Sequence, residues 1–412
     1  MTTRLKYLCY EVDRRVGANN SELLSVSIHR GVVPRAELTE DLPRAEDLSN
    51  YKLCEPGDII VNRMRAFQGA TGVSPRQGAV SPDYLVLRPR VGMVAGFMHY
   101  AFKSDWFIGQ MTSRIRGIGS ADLGSVRTPR INAEDLLGLE MKSPPTERQQ
   151  QVADFLDDQV ARIDRIIAAR KLQAADLLAL FDRLFDQEWD RLSRSYGSAR
   201  TAYLLRGMEQ GWSPDAEAGE AAEHEWAVMR AGCVNGGVFN LRDHKVLPKE
   251  LPPRRQYEIR SGDLLMSRAS GSMEHIGSVA MVPGDVRHRL LLSDKVYRLF
   301  SDTSKATSSY LAMMLRSPAA RRHIKAGISG AEGMANNLPA SVVRSIPVPA
   351  VPLVDQQPIV DQYLVDESAT RRQVAGLDKS SELLAELKKS LITAAVTGEF
   401  DVSLADGSQV PV

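Results

Sequence analysis

Two tracts of this chain gather side chains that suit an anionic, hydrogen-bonding ligand. Between Arg298 and Ser345 seven cations (Arg298, Lys305, Arg316, Arg321, Arg322, Lys325, Arg344) stand against two acids, Asp302 and Glu332. Between Lys103 and Arg130 five (Lys103, Arg114, Arg116, Arg127, Arg130) stand against Asp105 and Asp122. Each tract contains a glycine-rich loop, where backbone N–H groups can approach phosphate oxygens without side-chain obstruction. Arg, Asn and Gln can also pair with base edges. Arg63, Arg65, Gln68, Arg268, Asn336 and Asn337 are therefore candidate base readers, and Arg114, Arg116, Arg127, Arg321, Arg322 and Lys325, within the basic tracts, are further candidate DNA contacts. Any one of these alone is more often a solvated surface charge than a base contact. Their recurrence in two places carries the weight.

Other chemistries find little support. There is no G-x-x-x-x-G-K-[ST] loop for ATP, no glycine-rich strand–turn–helix for a dinucleotide or S-adenosylmethionine, and no [ND]PP[YF] signature of amino-methylation. The seven histidines show no i, i+4 pair and no neighbouring cysteine, so no metal site is expected. Asp58 and Asp263 each follow a glycine before an apolar strand, where an aspartate ordinarily bonds its own turn. Cys9, Cys54 and Cys233 lie too far apart in sequence for a disulfide framework. That favours a cytoplasmic compartment, and no apolar run reaches the ~20 residues of a membrane span. The net charge of +1 decides nothing until the charges are mapped.

The elements that would position these residues come in two sets. Pro144–Trp189 has no Gly or Pro after Pro145 and carries Val152, Leu156, Ile163, Ile167, Ala174, Leu177, Phe181 and Leu184 in steps of 3, 4 and 7. That spacing lays one apolar stripe along a helix, roughly 65–70 Å long at ~1.5 Å per residue. Its opening recurs later in the chain. Pro145, Gln149, Gln150 and Val152 match Pro352, Gln356, Gln357 and Ile359 at a constant shift of 207. The second stripe continues through Tyr363, Val374, Leu377, Leu384, Leu387 and Leu391. Ahead of each helix the same order of elements repeats: PGDIIVNR and SGDLLMSR, YLVLRP and VYRLF, a helical section, a glycine-rich loop. The chain is a duplication.

The expected fold is α+β: two similar mixed domains joined by two long helices that pair as an antiparallel coiled coil, with internal pseudo-two-fold symmetry. The expected boundaries are a first domain over 1–143, a long helix over 144–192 and a linker that is also the entry to the second repeat over 193–224. A second domain over 225–351, a long helix over 352–397 and a tail over 398–412 complete the chain. Two readers on one bar suit a linear target with two half-sites, and double-stranded DNA is the natural one.

The order of a variable domain, then SPPTERQQQVADFLDD opening a long helix, then the same again with PAVPLVDQQPIVDQYL, resembles the specificity subunit of type I restriction-modification enzymes. PGDIIVNR, SGDLLMSR and the C-terminal LITAAVTGEFDV add to the likeness, which covers nearly the whole chain. Arg148 and Asp355 depart from the family's usual Glu before Gln, and Pro358 falls within the start of the second helix. The resemblance implies two target recognition domains reading one half-site each, with a coiled-coil ruler setting the gap between them. It also implies a non-catalytic chain whose long helices dock two methylation subunits and, through them, restriction subunits. S-adenosylmethionine, ATP and magnesium would then reside on the partners. The rival reading is a coiled-coil adaptor that joins two proteins without reading DNA; it does not account for matched basic loops in both halves.

Overall fold

The computed structural model describes residues 2–17, 21–28, 30–39, 48–114, 130–328 and 336–403. It divides into two compact units, Met1–Leu172 with Leu377–Val412 and Gln173–Gly376. The division falls partway along both long helices, Thr146–Tyr196 and Leu353–Thr397. Each unit therefore contains one mixed domain and one segment of each helix.

In the first unit a four-stranded antiparallel sheet has the spatial order Cys9–Glu11, Tyr84–Pro89, Ile59–Asn62, Thr71–Val73. Ile59, Ile60 and Val61 are all fully buried because both faces of the sheet are covered. Ile59, Val61, Leu85 and Leu87 pack towards the helices, and Ile60 and Val86 towards the hairpins on the other side. This two-sided burial explains why the strand reads as a continuous apolar run. The helical section ahead of the glycine-rich loop is two helices, Ala95–Lys103 and Asp105–Ser113. They part at Ser104, whose Oγ accepts from the Phe107 N–H at 3.3 Å and caps the second. Phe97, Ala101 and Phe107 form the buried inner face of the pair, and Phe107 stacks on Phe102 with centroids 4.6 Å apart. Thr2–Arg4 pairs antiparallel with Glu140–Lys142 and fastens the start of the domain to the approach of the long helix.

The second unit repeats the plan. Its sheet has the order Leu205–Gln210, Val296–Ser301, Leu264–Ser267, Val279–Met281, again antiparallel throughout. Helices Ser308–Arg316 and Pro318–Gly327 part at Ser317, which caps the latter through the Ala320 N–H at 3.1 Å. Ser198–Arg200 pairs with Pro347–Pro349 as Thr2–Arg4 does with Glu140–Lys142. These pairings place the entry to the second repeat, expected within 193–224, in the second domain's sheets and leave little of that span as linker. The long helix runs on to Tyr196, residues 198–210 belong to the second domain, and Glu217 bridges to Val246.

Within each unit the two helix segments run antiparallel. In the first, Asp164 pairs with Lys388 and Arg170 with Ser380. The seam there buries Val152, Leu156, Ile163 and Leu384, with Ile167, Leu377 and Leu391 half-buried. In the second, Tyr363 sits between Phe181 and Phe185, with centroids 5.5 and 4.8 Å away, and Leu177 and Ile359 are half-buried. Leu184 departs from its expected seam position: it is 54% exposed, and Phe185 and Trp189 fill the seam instead. A seven-residue step falls about 20° short of two full turns, leaving Leu184 at the margin beside Leu177, whereas Phe181 and Phe185, four residues apart, share the face that meets Tyr363. Pro358 is the sixth residue of its helix, past the first turn, and the helix continues through it. The lost bond is the one to the carbonyl of Val354, a residue 79% exposed.

Candidate nucleic-acid interface

The first unit places its candidate readers where strand Ile59–Asn62 leaves the sheet. Asn62, nearly buried, accepts from the Met64 N–H at 3.1 Å and donates to the Tyr84 hydroxyl at 3.4 Å. Arg63 turns back into the fold and donates to the Ile131 carbonyl at 2.9 Å and to Asn132 Oδ1 at 2.6 Å. Arg65 and Gln68 flank the short helical turn Ala66–Gln68, which closes on Gly69 in the left-handed region (φ 82°). Both side chains are exposed and make no side-chain bond among the described residues. The turn packs on helix Asp105–Ser113, which ends at exposed Arg114. Arg65, Gln68 and Arg114 are thus carried by elements in contact. Arg116 and Arg127 lie outside the described residues.

In the second unit Arg268 occupies the place of Arg63. The Leu338 N–H bonds to the Arg268 carbonyl at 2.8 Å, as the Ile131 N–H does to the Arg63 carbonyl at 3.1 Å. The Arg268 guanidinium donates to the Asp294 carbonyl at 3.2 Å. Arg321 clamps the turn Met273–His275 through the carbonyls of Met273, Glu274 and Ile276. Burial pulls the pKa of both Arg63 and Arg321 downwards, though neither loses its charge at neutral pH. Arg322 forms a two-bond pair with Asp186 on the long helix, at 2.6 and 3.2 Å. Lys325 bonds Glu274 at 2.8 Å. Asn336 and Asn337 pair antiparallel with Ser270 and Ala269, beside an exposed stretch from Gly271 to His275.

The candidates therefore fall into two groups. Arg63, Arg268 and Arg321 have donors engaged inside the fold, whereas Arg322 and Lys325 are exposed and paired with Asp186 and Glu274 at the surface. Arg65, Gln68 and Arg114 are open to a ligand, and Asn336–Asn337 borders the exposed turn.

Two recurring joints went unassigned in the sequence. Gln149 and Gln356, each 1% exposed, lock the domain to its long helix in the same way. Gln149 Oε1 accepts from the Val94 N–H at 2.9 Å while Nε2 donates to the Pro144 and Gly92 carbonyls at 2.8 and 3.2 Å. Gln356 does the same with Thr307, Val351 and Lys305, each at 2.9 Å. Their only signal was the repeated Gln-Gln. Asp58 accepts from the Glu55 N–H at 2.8 Å and from Arg88 at 2.7 and 2.9 Å. Asp263 likewise accepts from the Arg260 N–H and from Arg298, each at 2.8 Å. Both aspartates bind their own turn as expected, and Arg298, counted in the basic tract, is buried. Among the described residues, no group of three His, Cys, Asp or Glu could hold a metal ion. No described helix is long and apolar enough to cross a membrane.

No family model matches the chain. Among curated proteins it is 26% identical over 162 residues to the type I restriction enzyme EcoEI specificity subunit of Escherichia coli. That match covers 39% of this chain and only 27% of the relative's length. It is 21% identical over 363 residues to the EcoKI specificity subunit of E. coli strain K12, covering 84% of this chain and 75% of the other. A chain solved in a structural study of the assembly and conformational transition of a type I R-M system superposes with TM-score 0.72 at 14% identity, covering 97% of this chain and 98% of that one. The HsdS subunit of Thermoanaerobacter tengcongensis superposes with TM-score 0.51 at 16% identity, covering 97% of each chain. The chain therefore has the fold of the type I specificity subunits and is similar to them in sequence over most of its length.

Proposed function

We propose that the chain is the DNA sequence-recognition subunit of a type I restriction-modification complex, reading a bipartite target with one half-site per domain. The observation that carries this is the pairing of repeated joints with divergent tips. The buried glutamine and the aspartate–arginine joint recur in both units. The loops at the strand ends do not: Arg65, Gln68 and Arg114 are offered in one, and Asn336–Asn337 beside the turn Gly271–His275 in the other. A common scaffold with different tips suits two readers of different sequences. The chain itself would be non-catalytic, with S-adenosylmethionine, ATP and magnesium held by methylation and restriction subunits. Docking of methylation subunits on the long helices is supported by exposed leucines there, among them Leu178, Leu180 and Leu184.

The test is domain replacement. Exchanging residues 1–143 for the corresponding domain of another specificity subunit should change one half of the recognised site and leave the other half intact. A replacement that altered both halves would contradict the modular reading.

A further inference from the structure

The two units differ at one matched place in a way that identifies a ligand. Helices Ala95–Lys103 and Ser308–Arg316 correspond end to end, so Lys103 and Arg316 are counterparts as their last residues. Along the long helices the shift of 207 makes Val160 the counterpart of Glu367. In the second unit the two positions form an ion pair. Arg316 donates to Glu367, both largely buried, and Glu367 also accepts from Arg371 at 2.9 Å. The loop at Gly236–Gly237 covers this pair. Arg371 donates to the Gly236 carbonyl at 3.0 Å, and a Cβ added at Gly237 would lie 2.5 Å from Arg316 Nε.

In the first unit the long helix has Val160 at the place of that carboxylate. Lys103 is half-buried and forms no hydrogen bond or ion pair among the described residues. It lines a cavity of about 880 Å³ together with Phe67, His99, Val160, Lys388 and Ile392. Two of the cavity's three acids are committed, and the third, Asp105, is exposed. Asp157 accepts from the Tyr100 hydroxyl at 2.6 Å, and Asp164 pairs with Lys388. His99 Nδ1 is buried without a partner among the described residues. Burial, then the charge of Lys388, pulls the Lys103 pKa below its ordinary value. An ammonium so placed gains from an incoming anion more than a solvated one does.

We propose that this cavity of the first unit binds a carboxylate side chain, a glutamate or aspartate carried on an apolar segment of a protein partner, with Lys103 as its cation. The class follows from the counterpart, where the equivalent cation holds a carboxylate. Lining by Phe67, Val73, Val160 and Ile392 suits apolar side chains flanking that acid. The cavity's own Asp105, Asp157 and Asp164 oppose a polyanion such as a nucleic-acid backbone, whose several charges they would meet at once. The site rests on this unit's geometry and does not depend on the chain reading DNA.

The experiment follows the Lys103 side chain by NMR in the full chain with 13C-methylated lysines, its signal assigned by its loss in Lys103→Arg. The probes are the blocked peptide acetyl-Ala-Leu-Glu-Leu-Ala-amide, the same peptide with Gln for Glu, and random-sequence duplex DNA. The Glu peptide should shift the Lys103 signal and raise its pKa, and the Gln peptide should bind at least tenfold more weakly. Val160→Glu should raise the Lys103 pKa without peptide and abolish the response, since it supplies the carboxylate internally. Should that variant fail to fold, Lys103→Met should lose peptide binding while keeping the wild-type urea midpoint. Equal binding of both peptides, no response to the Glu peptide, or a Lys103 response to DNA alone would overturn the proposal.

Discussion

At the scale of single residues, the joints between domain and helix depend on a few buried polar groups whose bonds are complete. Gln149 offers one acceptor and two donors and uses all three. Replacing it with Ala leaves the Val94 N–H and two carbonyls without that partner in a buried place, at a cost of about 2–4 kcal/mol. Gln149→Ala and Gln356→Ala should each lower the urea midpoint and speed hydrogen exchange at the amide each Gln holds, Val94 or Thr307. Unchanged exchange there would remove the glutamines from that role. The pair was visible in the sequence as a repeated Gln-Gln, but its role was not, because its partners lie 49 to 57 residues away or across the Pro-Pro turn. The same distance hid the state of the arginines. Residue type marks Arg63 and Arg65 alike as readers; only the return of the chain at Ile131 and Asn132 separates the engaged guanidinium from the open one.

At the scale of elements, the long helices were legible because a 3.6-residue period sustained over many turns has few competing readings. The buried strands were legible as apolar runs after a Gly-Asp turn. The three-residue pairing of Thr2–Arg4 with Glu140–Lys142 was not, since so short a strand carries no period and its partner lies at the far end of the domain. Seam register was the finer error, and it gives a paired prediction. Phe185→Ala opens a void against Tyr363 and should cost about 3–5 kcal/mol in urea denaturation. Leu184→Ala, one residue away and facing outward, should change stability by less than about 0.5 kcal/mol, while weakening co-purification with a methylation subunit. Equal destabilisation by the two would restore Leu184 to the seam.

At the scale of the whole molecule, one architecture occurs twice, and in each unit it includes a segment of both long helices. The near-neutral net charge of +1 fits a chain whose surface would be shared between DNA and protein partners rather than one that binds nucleic acid by charge alone. The duplication gives the central claim its form: two reading heads, hence two short sequences. Selection of bound DNA from a random duplex pool measures this most directly, using the chain co-purified with its methylation subunit at physiological salt. The account predicts two short enriched blocks separated by a fixed, unspecific gap. A single enriched block, or binding that enriches no sequence, would contradict it.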